Sequence, residues 1–247
     1  MLQALKTMII MSILGGMSSG IGGILGGVFK IKDDKILAML YEITAGMMTG
    51  IVCFDMLPES FAIINVWWGL FGFIMGVGAI YLLETIISYM KYHKKKKIQK
   101  GHSYSTMSLV IMLSMAIHNM IEGLAIGSGM VYSISLGTSI LLSILLHDIP
   151  EGMVVGVANQ TEKTSFLSLV SNCVFVGMSV GIGSFIGELV GGISEKYVSL
   201  CLSLAAGAML YIVACDLIPS SKKLSQRRVV SLVYIVGIIL GIVITKI

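Results

Sequence analysis

The chain has 247 residues, of which 56% are hydrophobic and only 12% are charged, and its mean hydropathy is +0.94. This composition excludes an ordinary water-soluble globular domain and indicates a membrane protein. The formal net charge of +4 does not indicate a nucleic-acid partner, because the basic residues lie in short segments between apolar runs, where membrane topology explains them.

Long apolar runs follow one another along the chain. A helix needs about 20 apolar residues to cross the hydrocarbon layer of a bilayer. Eight runs qualify, at about 8–29, 36–57, 64–90, 107–128, 133–157, 166–191, 197–218 and 229–247. The sequence therefore predicts an all-α polytopic membrane protein in which residues 1–247 form one transmembrane domain. The first run is too long for a signal peptide and lacks a clear cleavage site, so we expect it to be retained.

The lysines and arginines predict the orientation of these spans. Odd-numbered loops hold 14 of the 17 basic residues and are therefore predicted to face the cytoplasm. Both termini then face outward, and we expect the protein in the plasma membrane. The longest loop, 91–103, contains His93 and His102 among six lysines. A positive-inside anchor explains this loop better than a metal-collecting role, because the lysines repel a cation.

The second and seventh spans contain an internal repeat. Residues 45–60, AGMMTGIVCFDMLPES, align without a gap on residues 206–221, AGAMLYIVACDLIPSS, at an offset of 161, and eight of sixteen positions are identical. Since the second span is predicted to run outward and the seventh inward, the copies are predicted to be inverted. We expect repeat one at about 1–128 and repeat two at about 133–247, an arrangement common in secondary transporters.

Two similar polar hexapeptides interrupt the fourth and fifth spans. HNMIEG begins at His118 and HDIPEG begins at His147. In each, polar residues at i, i+1 and i+4 share one helix face near the middle of the membrane. The sequence therefore predicts that six side chains, called the polar cluster below, meet between these helices: His118, Asn119, Glu122, His147, Asp148 and Glu151.

The three carboxylates of the polar cluster lack an obvious counter-ion. A carboxylate at this depth usually pairs with lysine or arginine, but neither residue type occurs between Gly101 and Glu162. Either the acids are protonated or a bound cation neutralises them. Imidazoles together with carboxylates suit Zn²⁺, Fe²⁺ or Mn²⁺ better than Ca²⁺ or Mg²⁺. A metal site is favoured over hydrogen bonds that merely join two helices. Gly123 and Gly152, just after the acids, permit close helix approach.

At these residues the sequence resembles the ZIP family of divalent-metal transporters, the Zrt- and Irt-like proteins. The hexapeptides carry the resemblance, supported by AGMMTGIVCFDMLPE and the basic loop after the third span, and it covers nearly the whole chain. It implies eight transmembrane helices in a 3+2+3 arrangement, a homodimer, and an elevator-like movement that carries metal toward the cytoplasm. We expect the metal to be transported substrate and expect no cofactor. Zn²⁺ is the first candidate for the transported ion, and Fe²⁺, Mn²⁺ and Cd²⁺ are the alternatives.

Carried over position by position, the resemblance places the metal ligands on the polar cluster. In two-metal members of the family, Glu122 and Glu151 would bridge the ions. A methionine of the second span, here Met47 or Met48, sometimes completes the first site, although ordinary packing is the simpler interpretation of either.

Two positions depart from the family pattern. Ile121 stands where many relatives have proline, so the fourth helix is not expected to have the kink that Pro150 gives the fifth. Val180 stands where some relatives have glutamate, which leaves a second metal site one carboxylate short.

The repeat also indicates a route for the metal, because it maps Asp55 onto Asp216 at opposite faces of the membrane. We hypothesise entrance past Asp55 and Glu59 and exit past Asp216, although an ordinary interfacial role explains these acids equally well. The alternative function is an intramembrane metal-dependent hydrolase, which needs an open coordination position and a separate general base. A passive channel with an acidic lining is a third possibility, and saturable flux would distinguish a carrier from it.

Overall fold

The computed structural model describes residues 2–29, 33–97, 104–161 and 166–245. Within these ranges the chain forms eight helices: α1 Leu2–Phe29, α2 Asp34–Ile63, α3 Val66–Lys97, α4 Tyr104–Tyr132, α5 Ile134–Thr161, α6 Phe166–Gly191, α7 Glu195–Leu224 and α8 Arg228–Ile244. Six of these helices (α1, α2, α3, α5, α6 and α7) are long and apolar enough to cross a membrane, and α8 is a shorter apolar helix. The chain is therefore an all-helical, multi-pass membrane protein.

The helices extend beyond the apolar runs that predicted them. For example, α7 covers Glu195–Leu224, whereas the apolar run covers 197–218. Main-chain hydrogen bonds are satisfied inside a helix whatever its side chains, so the helix continues past the apolar segment. The prediction that the basic loop starts at residue 91 is wrong, because α3 continues to Lys97. Lysine is a good helix former, and the first glycine of this segment is Gly101.

Several basic and histidine residues of the topology argument lie outside the described residues. They include Lys30, Lys32, Lys100, His102 and Lys163. His93 belongs to the last turns of α3, but its side chain also lies outside the described part of the structure.

One widened turn occurs at the matching position of α2 and α7. The π-helical segments Val52–Met56 and Val213–Leu217 are separated by 161 residues, the offset of the sequence repeat. Each ends with an N–H group bonded to the carbonyl five residues earlier, and a proline follows within two residues of the segment. A wider turn accommodates a proline, which lacks an N–H donor. The repeat is therefore matched by the same backbone irregularity in both copies.

The helices pack in two groups. The α1 group contains α1, α4, α5 and α6, in which α1 packs against α5 and α6, and α4 also packs against both. The α2 group contains α2, α3, α7 and α8, in which α2 packs against α8 and α7, and α3 packs against α7. Between the groups, α4 contacts α7 and α5 contacts α2. Large, fully buried apolar side chains fill this interface: Met48, Ile51, Ile126, Ile140, Ile144, Leu202 and Met209.

Hydrogen bonds join α2 and α7 near both ends of the two helices. The hydroxyls of Ser60 and Ser199 each donate to the main-chain carbonyl of the other residue at 2.8 Å. At the opposite end, the Ser221 hydroxyl donates to Oε1 of the buried Glu42 carboxylate at 2.9 Å. The Lys222 ammonium donates to the same oxygen, also at 2.9 Å. Because an early residue of one helix meets a late residue of the other, α2 and α7 are antiparallel.

Glycines bring the helices of the α1 group into main-chain contact. A Cβ atom on Gly123 would lie 2.1 Å from the Val180 carbonyl oxygen, and one on Gly152 would lie 2.4 Å from that of Ser19. Side chains are not found at such distances from a backbone, so these positions require glycine. The prediction that Gly123 and Gly152 permit close helix approach is confirmed.

Replacing Gly26 by alanine should lower the thermal unfolding temperature of the detergent-solubilised protein. The new methyl would lie 2.2 Å from the Met153 carbonyl oxygen, and overpacking of this kind costs about 1–3 kcal/mol. Gly27→Ala is the matched control, because nothing lies within 4 Å of a Cβ at that position. Equal unfolding temperatures for the two variants would show that the contact between α1 and α5 does not depend on Gly26.

Candidate metal site

The two hexapeptides are placed opposite each other by the connection between α4 and α5. These helices pack against each other, and Ser133 alone separates them. His118 lies 15 residues before Ser133 and His147 lies 14 residues after it. A helix rises about 1.5 Å per residue, so the two histidines lie at nearly the same depth.

Five side chains of the polar cluster meet between the two helices. Oε1 of Glu122 lies 2.8 Å from Nε2 of His147 and 3.2 Å from Nε2 of His118. Oε2 of Glu151 is 3.9 Å from the same His118 nitrogen, and Oδ1 of Asp148 is 3.7 Å from that of His147. Two groups have one ligand atom per residue within 4.8 Å of one another: His118, His147 and Glu151, and Glu122, His147 and Asp148.

Polar atoms without hydrogen-bond partners are concentrated at this point of the described chain. Asn119 is 1% exposed, and neither atom of its side-chain amide has a partner. Nδ1 of His118, Oε2 of Glu122 and Oδ1 of Asp148 are also buried without one. Each such atom costs about 1–3 kcal/mol, so polar groups that merely joined two helices would be paired. The arrangement instead suits a bound cation that these atoms would coordinate.

The orientation of the His147 ring is set by its own helix. Nδ1 lies 3.0 Å from the main-chain carbonyl oxygen of Ser143, which only accepts, so Nδ1 donates the hydrogen. In the neutral ring, Nε2 then directs its lone pair toward Glu122, as in histidines that bind metals. A lone pair and a carboxylate oxygen 2.8 Å apart repel each other unless a proton or a metal cation neutralises the contact.

No described lysine or arginine forms an ion pair with Glu122, Asp148 or Glu151. The nitrogen bases that they contact are the two imidazoles, and Asp148 also accepts a hydrogen bond from Ser18 of α1 at 3.0 Å. Ser18 was not identified from the sequence, because one serine among the glycines and serines of α1 has no distinguishing spacing.

The two positions that depart from the family pattern are apolar and buried. Val180 is 1% exposed, its side chain faces Gly15, and its carbonyl oxygen lies beside Gly123, the residue after Glu122. Valine at this position offers no ligand atom. Ile121 belongs to the apolar core. In α5 the helix continues through Pro150 to Thr161, so this proline does not end it.

The two methionines of the second span lie in different surroundings. The main chain of Met47 packs against Gly237 and Gly241 of α8. Met48 is 1% exposed and belongs to the apolar core shared by α2, α4, α5 and α7. Met48 is therefore the better placed of the two to approach the helices of the polar cluster.

A line of polar side chains leads from Asp55 toward His147. Asp55 lies in the π-helical segment of α2 and is half-buried, and Ser139 of α5 donates to its carboxylate at 3.4 Å. Ser139, Ser143 and His147 follow at intervals of four, on one face of α5. Ser143 is fully buried, and its hydroxyl has no partner. The spacing of the serines was visible in the sequence, but only contact with Asp55 distinguishes them from ordinary helix serines.

The other two acids of the hypothesised route differ in exposure. Glu59 is half-buried in α2, whereas Asp216 is exposed in the π-helical segment of α7. Asp55 and Asp216 therefore occupy matching positions of the repeat but different surroundings.

These features define a class of multi-pass membrane protein in which imidazoles and carboxylates, the side chains that metal sites use, are clustered between two neighbouring helices. A family model described as ZIP Zinc transporter matches residues 91–247. The chain belongs to the ZIP family, so it is a transporter and not an enzyme. Family membership supports transport of a divalent metal ion across the bilayer.

Individual relatives agree with the family model. The chain is 28% identical to the zinc transporter ZupT of Chlorobium chlorochromatii (strain CaD3), over 96% of this chain and 94% of that protein. It is also 28% identical to ZupT of Streptococcus mutans serotype c, over 99% and 97% of the two chains. It is 30% identical to the zinc transporter GufA of Myxococcus xanthus, over 62% of each chain.

Proposed function

We propose that the protein carries divalent transition-metal ions, Zn²⁺ foremost, across the plasma membrane toward the cytoplasm through the polar cluster. One observation carries this proposal: buried carboxylates contact two imidazoles and no described lysine or arginine. The relatives named as zinc transporters support Zn²⁺ as cargo. Fe²⁺, Mn²⁺ and Cd²⁺ remain alternative cargoes, because all accept nitrogen and oxygen ligands.

We propose all six residues of the polar cluster as ligands. Glu122 supplies the oxygen nearest both imidazoles, and Asp148 and Glu151 each approach one imidazole. Asn119 has a buried side-chain oxygen free to bind a cation. A single ion is the simplest occupancy, since Val180 gives no ligand beside Glu122, and a four-coordinate Zn²⁺ would bind about four of the six residues at a time. Imidazole and carboxylate ligands release a metal more readily than the thiolates of structural zinc sites, as transport requires.

The movement that we propose is a shift of the α1 group against the α2 group. The polar cluster belongs entirely to α4 and α5 of the α1 group, so its ligands would travel together. The antiparallel contact of α2 and α7, with the shared π-helical segments, supports an inverted repeat. In such repeats the site lies near the midplane, and rocking of one bundle against the other alternates access. The proposed architecture is eight spans in a 3+2+3 order.

The proposed orientation has both termini outside the cell and the odd-numbered connections in the cytoplasm. Four basic residues lie at the connection between α7 and α8, in agreement with this orientation: Lys222, Lys223, Arg227 and Arg228. We also propose a homodimer, which chemical cross-linking in native membranes would test.

Uptake of a panel of divalent metals into proteoliposomes tests the proposed function. We expect saturable uptake of Zn²⁺, and we expect Glu151→Ala to abolish it because Glu151 belongs to one of the two ligand groups. Flux that rises linearly with metal concentration would indicate a channel. Absence of uptake for every metal, with folded protein in the vesicles, would refute the proposal.

Replacing Asp55 by alanine should reduce Zn²⁺ uptake at low metal concentration more than at saturation. Asp55 faces the serine line that leads to His147, so its carboxylate would raise the local concentration of cations at the entrance. Uptake curves of wild type and variant provide the test. Asp34→Ala is the control, because Asp34 lies exposed in the first turn of the same helix. An unchanged concentration dependence for Asp55→Ala would remove Asp55 from the route.

Lowering the pH should weaken the apparent affinity for Zn²⁺. Imidazole and carboxylate ligands bind metal in their deprotonated forms, so protons compete with the ion. We expect the KM for uptake to rise several-fold as the pH falls from about 7.5 to about 5.5, the range in which an ordinary imidazole becomes protonated. The measurement is initial uptake rate with equal pH on both sides of the vesicle membrane. A KM that stays constant across this range would contradict a site built from these ligands.

A further inference from the structure

Ser18 of α1 joins a third helix to the polar cluster. It is 6% exposed, and its hydroxyl lies 3.0 Å from Oδ2 of Asp148. The same hydroxyl lies 3.0 Å from the carbonyl oxygen of Gly15, three residues earlier in α1. The contact is held in place by the close packing of α1 on α5, where Gly22 approaches the main chain of Ile149 and Gly152.

The hydrogen bond to Asp148 is not needed to satisfy Ser18 itself. Ser128 and Ser184 are also buried helix serines, and each donates to the carbonyl three residues earlier. Ser18 has the same kind of acceptor in Gly15, so its single hydroxyl hydrogen has two acceptors within reach, of which the Asp148 carboxylate is the stronger. The contact between α1 and α5 therefore acts on the carboxylate.

The hydrogen bond from Ser18 places the two carboxylate oxygens of Asp148 in different surroundings. Oδ2 accepts the Ser18 hydroxyl, whereas Oδ1 is buried, has no hydrogen-bond partner and lies 3.7 Å from Nε2 of His147. A carboxylate held in this way presents one oxygen to its neighbours, and rotation that would bring both oxygens forward breaks the bond to Ser18.

We infer that Ser18 is a positioning residue for the transported ion, which holds Asp148 so that only Oδ1 coordinates it. This inference rests on the proposed function. A one-oxygen carboxylate favours ions of low coordination number, such as Zn²⁺ with four ligands. Ions that prefer six oxygen ligands, such as Mn²⁺, gain less from it. Ser18 thereby contributes to the preference for Zn²⁺ over Mn²⁺ as well as to affinity.

The test compares four proteins in proteoliposomes: wild type, Ser18→Ala, Ser18→Thr and Ser19→Ala. Residues that orient metal ligands typically contribute about 10–100-fold to affinity or activity. We expect Ser18→Ala to raise the KM for Zn²⁺ uptake about tenfold with Vmax within about twofold, and to raise the KM for Mn²⁺ less. Ser18→Thr keeps the hydroxyl and should restore most of the affinity. Ser19 is equally buried but points about 100° away on the helix, so Ser19→Ala should resemble wild type.

The outcomes separate this inference from the proposed function. If wild type takes up no metal, the proposed function fails. If wild type takes up Zn²⁺ and Ser18→Ala has the same KM, or loses only Vmax, Ser18 has no positioning role. Calorimetric titration of the solubilised proteins with Zn²⁺ gives the same comparison without transport. If Ser18→Ala does not fold, the titration is made with Ser18→Cys, which has a similar size and a weaker donor, and wild-type affinity in that variant overturns the inference.

Discussion

Replacing Glu122 by glutamine should reduce Zn²⁺ uptake to the background of empty proteoliposomes. Oε1 of Glu122 lies within 3.2 Å of both imidazoles of the polar cluster, and Oε2 is buried without a partner. Glutamine keeps the shape of the side chain but removes the negative charge that balances the cation. A zinc-sensitive dye inside the vesicles measures the loss directly.

Loss of folding must be separated from loss of binding in this variant. Glu122 is fully buried, so its replacement by glutamine removes a negative charge from the protein interior. We therefore expect Glu122→Gln to remain folded. Glu195→Gln is the matched control, since Glu195 is exposed in the first turn of α7. Near-normal uptake by Glu122→Gln would show that the polar cluster does not bind the transported ion.

The meeting of the hexapeptides could be predicted because local rules determine it. Polar residues at i, i+1 and i+4 share a helix face. When a short turn joins two helices, residues that are equally far from the turn lie at the same depth. His118 and His147 satisfy both conditions, so the approach of the two hexapeptides followed from spacing, whereas the contact of both histidines with Glu122 is known only from the structure. The family resemblance rests on the same hexapeptides and names the same residues.

The contacts that reach the site and the core from other helices could not be predicted in this way. Ser18 is one of many small residues in α1, and nothing in its spacing indicates that α1 packs on Asp148. Lys222 was counted among the cytoplasmic charges, whereas its ammonium lies 2.9 Å from Glu42, which is 2% exposed. Such partners are 130 and 180 residues apart in sequence, so they depend on which helices become neighbours.

The two helix groups differ in how they are held together. Inside each group, glycines allow main-chain contact, as between Gly46 and Gly237 or between Gly123 and Val180. Between the groups, the interface is mainly apolar side chains, which slide without breaking directional bonds, and polar contacts such as Ser139 with Asp55 are few among the described residues. This contrast is the physical basis for expecting movement between the groups and rigidity within them.

A covalent link between the groups should therefore stop transport. Ser128 of α4 lies within hydrogen-bonding reach of the native Cys201 thiol in α7, and both residues are buried. Ser128→Cys, in a chain whose other cysteines are replaced by serine, would place two thiols at this contact. A disulfide fixes the Cα atoms about 4.4–6.8 Å apart and would prevent any sliding of α4 along α7. We expect oxidation to reduce Zn²⁺ uptake to background and reduction to restore it.

The control for the cross-link is a link inside one group. Ser60 and Ser199 of the α2 group exchange hydrogen bonds at 2.8 Å, so Ser60→Cys with Ser199→Cys, in a chain without its native cysteines, should join α2 to α7. Since these helices are expected to stay together throughout the cycle, uptake by this double variant should be the same before and after oxidation. The chain with Cys201 alone controls for the oxidant. Full uptake by the protein linked between Cys201 and the cysteine at position 128 would contradict movement of the α1 group along α7, and would require the metal to pass through a fixed pair of groups.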